Sequence, residues 1–318
     1  MDGQPLMTGL MHMPADTYHR DPAPAPSLSS TLARLLIGRS PLHAWTASPR
    51  LNPDWEPDDR KTFDIGRAAH RQILGAGGEY ATIPEETLAA NGAASTKEAK
   101  AFIADCRKAG LTPLKAAEVE QIEAMAVVAS EKLASMGITL DPDRSELAVL
   151  AEIDGVWCRA MIDNAPADPR LPLYDFKTTE NASPEACMRA IMNYGYDVQA
   201  AHYLDTWKAA TGEDRRFRFI FQEKAAPFEV CVVELHDDSL MMGRKRAAMA
   251  RQKWRWCIER NRWPGYPLGV QQVQLPEFYQ SAFLERESAE ADHKRRFSAD
   301  ILEFSYRMQA PGGPEETP

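Results

Sequence analysis

Hydrophobic and polar positions along this chain switch between two periods, and the switches mark out its elements. Between Ala116 and Met136 the apolar residues Val119, Ile122, Ala126, Ala129, Leu133 and Met136 recur every three or four positions, and Gly137 follows directly. That spacing predicts a long amphipathic helix whose stripe serves packing, against its own core or a partner helix. Shorter helices are predicted over Leu28 to Ile37, over Ser40-Pro41 to Trp45, and over Thr62 to Leu74, which runs into Gly75, Gly77 and Gly78. Ser95-Thr96-Lys97-Glu98 has the form of a capping box for a helix ending at Gly110, after a brief strand at Ala81 to Pro84. The period then changes. Glu146 to Ile153 and Val156 to Asp163 read as strands joined by Asp154-Gly155, a strong hairpin signal. A third strand, Leu173 to Thr179, follows the turn-rich run Asn164 to Pro172. Two helices come next, from Ser183-Pro184 to about Asn193 and from Asp197 to Ala210. Phe217 to Gln222 and Phe228 to Leu235 are further strands, the second a Val/Cys run of the kind found in buried strands. Helices are expected over Ser239 to Asn261 and from Glu285 to Met308. The mixture is that of an α/β protein.

Residues Met1 to Pro26 end in Asp-Pro-Ala-Pro-Ala-Pro and read as a stiff extended leader outside the packed body. Residues 286–318 read as a charged helical tail, which leaves 27–285 as the folded domain. Hydrophobic content of 44% and charged content of 26% are ordinary for a soluble protein, and no apolar run reaches the length of a membrane span. The first twenty residues lack the pattern of a signal peptide. Five cysteines, widely spaced and without a C-x-x-C, suggest neither a zinc ribbon nor a disulfide framework, and a cytoplasmic location is expected.

Charge changes the picture at one place. The net charge of −9 argues against a protein coated in nucleic acid, yet Gly243 to Arg262 carries eight basic residues against Glu259 alone. That segment is +7, so the rest of the chain is −16. A basic helix on an acidic body can still grip a phosphate backbone locally. Arg244, Arg251 and Arg255 are the candidate DNA contacts, with Trp254, Trp256 and Trp263 interleaved among the charges.

The candidate chemistry centres on Asp175-Phe176-Lys177. Residues two apart on a strand share a face, so Asp175 and Lys177 point the same way while Phe176 turns to the core. A carboxylate beside an ammonium at a strand end suits metal-assisted phosphodiester hydrolysis. Alone, such a pair is equally a solvated ion pair on an edge strand. Asp163 closes the preceding strand, and twelve residues are enough to bring both carboxylates to one end of the sheet. Gly66 and His70 share a helix face, as do Gln199 and Tyr203. The small residues Gly66, Ala68 and Ala69 would let their helix lie close to another backbone.

Each signal is weak alone, but their order is informative. Together they resemble the RecB-like branch of the PD-(D/E)XK nuclease superfamily, with its G-x-x-x-H, D, D-x-K and Q-x-x-x-Y motifs. The wider run of Pro41-Leu42-His43-Ala44-Trp45, Gly66 to His70, Asp175 to Thr179 and Tyr194-Gly195-Tyr196-Asp197-Val198-Gln199 is similar to phage and prophage exonuclease VIII (RecE-type) proteins. The resemblance spans Ser27 to Glu285. It implies a restriction-endonuclease-like core, a mixed central sheet flanked by helices, with an N-terminal helical region. It also implies that His70, Asp163 and Asp175 ligate Mg²⁺ or Mn²⁺, with the Phe176 carbonyl as a further oxygen. Lys177 would position the attacking water, and Glu146 would serve a second ion or a metal-bound water. Gln199 and Tyr203 would contact DNA phosphate near the scissile bond and brace the site. The implied activity is metal-dependent degradation of linear double-stranded DNA from its ends, 5′→3′, in phage-type recombination. A ring-like homo-oligomer and a single-strand annealing protein as partner belong to the same implication. Two rivals stand beside it: a RecB-like endonuclease or nickase, and a catalytically inactive DNA-binding accessory protein. The intact set His70, Asp163, Asp175 and Lys177 argues against the second.

Overall fold

Turn chemistry and apolar period cut the chain into short elements wound about one sheet. The computed structural model describes residues 8–56, 64–75 and 79–297. Its first elements are β1 (Gly9–His12), α1 (Ala15–His19), β2 (Leu28–Ser29), α2 (Ser30–Gly38), α3 (Pro41–Thr46) and α4 (Asp64–Leu74). Then come β3 (Tyr80–Thr82), α5 (Lys97–Lys108), β4 (Thr112–Leu114) and α6 (Ala116–Ser135). The central elements are β5 (Ser145–Ile153), β6 (Val156–Asn164), β7 (Leu173–Thr179), α7 (Pro184–Tyr194) and α8 (Tyr196–Thr211). β8 (Phe217–Glu223), β9 (Val230–Glu234), α9 (Asp237–Arg260) and α10 (Glu277–Phe297) complete the order. The chain divides into two compact units, Met1–Tyr266 and Pro267–Pro318, so the boundary precedes α10 instead of falling at 285.

Among the described residues the main sheet has seven strands, in the order β1-β5-β6-β7-β8-β9 with β2 parallel to β6. The β5–β6 hairpin turns at Asp154 and Gly155, both left-handed at φ 52° and 73°, as a tight turn matched to strand twist requires. β7 and β8 run parallel, from Leu173↔Phe217 to Thr179↔Glu223. No tight turn can join parallel neighbours, so α7 and α8 supply the crossover. This carries α8 back over the sheet. On that face Leu173, Phe217, Phe219 and Phe221 pack with Ala200, Tyr203, Leu204 and Trp207 of α8. On the other face Tyr174, Phe176 and Ile220 pack with Ala69 of α4 and with Met125, Ala129 and Leu133 of α6. The fold is therefore the expected mixed sheet between helical layers, a restriction-endonuclease-like core. The apolar stripe of α6 is used on this core, which removes it as a donor surface for a partner subunit.

Several expectations need correcting. Of the leader expected over Met1 to Pro26, residues 9–26 are not free. β1 covers the edge of β5 from Gly9↔Leu150 to His12↔Leu147, and Tyr18 is buried. The carboxylate of Asp21 accepts from Ser27 N at 2.8 Å and lies 3.1 Å from Arg159 Nη1, where both charges are buried. The prolines stiffen this segment, but an exposed strand edge and a buried guanidinium both need partners, and the segment supplies them. Residues Met1–Met7 lie outside the described residues, as do Thr62, Phe63, Gly77, Gly78 and the tail beyond Phe297. Thr96 rather than Ser95 caps α5, its hydroxyl accepting from Ala99 N at 3.0 Å. β9 is an outer strand with only Val230 fully buried, because a single neighbour covers it.

α9 packs across α8 and α2 through Ala247, Ala250 and Trp254. At the crossing, a methyl group on Gly243 would come within 2.4 Å of the Asp197 carbonyl oxygen. Gly243→Ala must push two helix backbones apart, and a loss of about 1–3 kcal/mol is expected for such overpacking. Thermal unfolding checks this: a clearly lower midpoint is expected, and an unchanged one would show that the helices part freely.

His202 gives a second prediction. It is fully buried, and its Nε2–H donates to the Arg159 carbonyl at 3.0 Å. Burial lowers its pKa from 6.5 to about 4. The unfolded chain therefore takes up a proton below pH 6.5 that the native protein refuses until about pH 4. The stabilisation is complete above the unfolded value and is lost as pH falls towards the folded one. Denaturant titrations should show that His202→Gln removes about 2 kcal/mol of the stability difference between pH 7 and pH 5.

Candidate active site

β6 and β7 pair at one position only, Asn164↔Tyr174, and then part. In the gap the Phe176 N–H donates to Asp163 Oδ2 at 2.7 Å, taking a side-chain acceptor in place of a strand neighbour. His70 enters from α4. Its Nε2–H donates to the Phe176 carbonyl at 3.0 Å and stands 3.6 Å from Asp163 Oδ2, and its ring meets that of Phe176 edge-on at 5.5 Å. α4 can come this close because Gly66 faces Thr178 Oγ1, 3.4 Å from where a Cβ would lie, and because Ala68 and Ala69 are small and fully buried. Its C-terminal end is tied to β5 by Ser145 Oγ, which donates to the Leu74 carbonyl at 2.9 Å.

Asp175 lies on the α8 side and is 1% exposed. Gln199 Nε2 donates to its Oδ2 at 2.6 Å, and the Lys177 ammonium faces its Oδ1. Burial pushes the Asp175 carboxyl above the usual carboxylate range, Lys177 opposes this, and Asp163 adds to it. For Lys177, burial alone would favour the neutral amine, but Asp175 and Asp163 outweigh it and the pKa is raised. Lys177 is thus a cation held in place, its Nζ also 5.1 Å from the centroid of the Tyr196 ring.

Glu146 joins the group through a backbone irregularity. Ser145↔Asn164 and Leu147↔Ile162 are paired, while the Glu146–Asp163 pair between them is missing from the ladder. Glu146 has φ 48°, a conformation costly for a residue with a Cβ and common at functional sites. Its pKa is raised by burial, against the pull of His70 and with the push of Asp163, which places it in their electrostatic reach. Tyr203 is buried behind the site. Burial and its neighbours Tyr18, Asp175 and Asp163 hold its hydroxyl well above its ordinary pKa, while a hydrogen bond with the Ser30 side chain opposes them. Gln199 therefore holds Asp175 from inside the protein, and Gln199 and Tyr203 are both buried, so neither presents a surface to a phosphate.

The basic helix is less available than its charge suggests. Arg251 is buried, with Nη1 donating to Asp205 Oδ2 at 3.0 Å, so it is a structural cation and not a surface contact. Arg244 is half-exposed beside Asp205 at 3.8 Å. Arg255 is half-exposed, donating to the Asp154 carbonyl at 2.9 Å and standing 4.0 Å from Glu259. Trp254 is core, with Trp263 edge-on against it at 5.2 Å, and Arg260 lies over the more exposed Trp256 at 5.1 Å. The acids that neutralise α9 come from distant parts of the chain, where a count of local charge does not find them.

Among the described residues no three His, Cys, Asp or Glu side chains form a ready-made metal cage. The donors at the parted strands still fit a hard divalent cation if the Phe176 carbonyl is counted with the carboxylates and the imidazole. Asp175 Oδ1 is buried and already faces the Lys177 ammonium, so this oxygen lies where positive charge is favoured. Tyr196 and Arg34 adjoin this group although no local pattern gives them a role: the Tyr196 ring centroid is 5.1 Å from Lys177 Nζ and 5.6 Å from the Arg34 guanidinium. Among the described residues no helix is long and apolar enough to cross a membrane.

Comparison with known proteins agrees with the fold. A "putative exonuclease" from Eubacterium rectale superposes with a TM-score of 0.56 at 14% identity, covering 86% of this chain and 99% of that one. A phage-related exonuclease from Haemophilus somnus 129PT matches at 12% identity over 61% of this chain and 95% of that one, but its TM-score of 0.29 is too low to bear on the fold. No protein of curated function is detectably similar in sequence. Residues 38–274 match the PDDEXK-like domain of unknown function (DUF3799), and with its core and motif residues in this arrangement the chain belongs to that family.

Proposed function

We propose that this chain is a divalent-metal-dependent nuclease that hydrolyses DNA, acting as an exonuclease on the ends of linear duplex. One observation carries the reading: His70, Asp163, Asp175, the Phe176 carbonyl and Lys177 are gathered where β6 and β7 part. His70, both aspartates and the carbonyl would hold Mg²⁺ or Mn²⁺, and Glu146 would serve a second ion or a bound water. Such an ion, when bound, polarises the phosphodiester and lowers the pKa of water. Lys177 holds its proton and can orient an attacking water or steady charge that develops on the phosphate. Gln199 fixes the rotation of Asp175 through Oδ2, so Oδ1 keeps its direction beside Lys177. Arg244 and Arg255 remain candidate phosphate contacts on α9. Family membership supports the chemistry, and the name of the Eubacterium rectale protein supports action at ends. A 5′→3′ direction, a role in phage-type recombination, a ring-like homo-oligomer and an annealing partner extend this reading through the resemblance to exonuclease VIII.

End-labelled linear duplex and covalently closed circles, incubated with Mg²⁺ or with EDTA, test it. Linear DNA should disappear only with metal while circles persist; cutting of circles would make the enzyme an endonuclease. Asp175→Asn keeps the side-chain volume and removes the charge, and Lys177→Ala removes the held cation. Each should lower the rate by at least about a hundredfold while thermal unfolding still shows a folded protein. Wild-type rates in either variant would refute the assignment.

Gln199→Ala should act more mildly, through Asp175. Loss of such an outer partner typically weakens metal affinity by about 10–100-fold. Calorimetric titration with Mn²⁺ reads this directly, and unchanged affinity would mean that Asp175 is held well enough without it.

A further inference from the structure

Where α7 hands over to α8 the chain turns through Gly195, left-handed at φ 67°. The flanking tyrosines emerge side by side, their rings 5.6 Å apart. Tyr196 leans inward, stacked on Phe219 at 5.6 Å and beneath the Lys177 ammonium. Tyr194 leans outward and is 63% exposed. Arg34 of α2 closes the corner. Its Nη1 donates to the Tyr194 carbonyl at 3.0 Å and its Nη2 to the Thr31 hydroxyl at 3.3 Å, and its guanidinium lies 5.6 Å from the centroid of Tyr196. These bonds go to neutral oxygens, so neither neutralises the charge. Its Nε is enclosed by protein and has no hydrogen-bond partner. The Arg34 methylenes fill the space beside Gly195, 3.4 Å from where a Cβ would lie, so the turn is built round this side chain.

Packing explains Tyr196 and leaves Tyr194 unexplained. A large ring in water, on a backbone fixed by an arginine that keeps its charge, is a prepared surface. Proteins hold unpaired nucleotides with this pairing: a base stacks on the ring and a cation takes the phosphate. Bases within a duplex stack on one another and offer no free face, so a stacking ring selects bases that have left the helix. The contacts from Tyr194 through Tyr196 to Lys177 and Asp175 connect this corner with the carboxylates.

We infer that the Tyr194–Arg34 corner is a seat for an unpaired nucleotide of the strand being cut, beside the phosphate at Asp163 and Asp175. This rests on the nuclease reading and adds to it. The enzyme would then take single strands and frayed ends ahead of blunt duplex, and opening the terminal pair would be part of its work on a blunt end.

Fluorescence anisotropy of the full chain in EDTA, with a labelled single strand and a blunt duplex of the same sequence, tests the seat. Tyr194→Ala should weaken single-strand binding roughly tenfold and blunt-duplex binding less than about twofold, while Tyr194→Phe keeps the ring and the affinity. Arg34→Gln should lower the salt slope of single-strand binding by about one. Equal losses on both DNAs, or none on the single strand, would overturn the inference. Turnover of bis(p-nitrophenyl) phosphate by the wild type with Mn²⁺, abolished in Asp175→Asn, checks the nuclease reading separately. Tyr194-dependent binding without that turnover would remove the nuclease reading and keep the seat.

Discussion

The single paired position between β6 and β7 is the constraint on which the rest depends. A sheet normally uses its backbone donors on neighbouring strands, and here the strands separate just after Asn164↔Tyr174. The separation leaves main-chain groups of Phe176 without strand partners inside the protein, an expensive condition unless side chains replace them. Asp163 takes the N–H and His70 takes the carbonyl. The polar cluster is therefore also what makes a split sheet tolerable.

Holding carboxylates in such a gap requires support from both faces. α4 gives His70 from one side and approaches only because Gly66, Ala68 and Ala69 are small. α8 gives Gln199 from the other, and its position follows from the crossover between parallel strands. α9 then presses on α8 at Gly243, so the charged helix acts first as a clamp. Arg251 and Arg246 are spent on Asp205 and Asp197 of α8, and Arg251 also faces Asp154 of the hairpin turn.

What the sequence made legible was whatever local chemistry determines. Asp154-Gly155 can hardly be anything but a hairpin turn, and the stripe from Val119 to Leu133 matches one buried helix face. The ordered motif residues could be read because each sits at a fixed offset within its own element. What stayed hidden depends on distant partners. The proline-rich segment before Ser27 looks unpacked until β5 offers an edge and Arg159 a charge. Arg251 looks like a surface cation until Asp205 is found beside it, and the Val/Cys run of β9 looks buried until it proves to lie at the rim. The left-handed backbone of Glu146 has no local signal at all, since only the unpaired ladder position opposite Asp163 calls for it.

The tied-in N-terminal segment also affects how the chain can assemble. Gly9 pairs with Leu150, the Pro26 carbonyl accepts from Trp254 Nε1 at 3.3 Å, and the Leu36 carbonyl accepts from Lys253 Nζ at 3.1 Å. These contacts join the first part of the larger unit to β5 and to its last helix, α9, a topology that closes slowly because long loops must form first. During synthesis the segment leaves the ribosome long before its partners exist. Pro14, Pro22, Pro24 and Pro26 lack N–H donors, so the stretch that follows β1 is poorly able to join a wrong strand in that interval. A composition that looks like an unstructured leader thus also suits a strand that must wait.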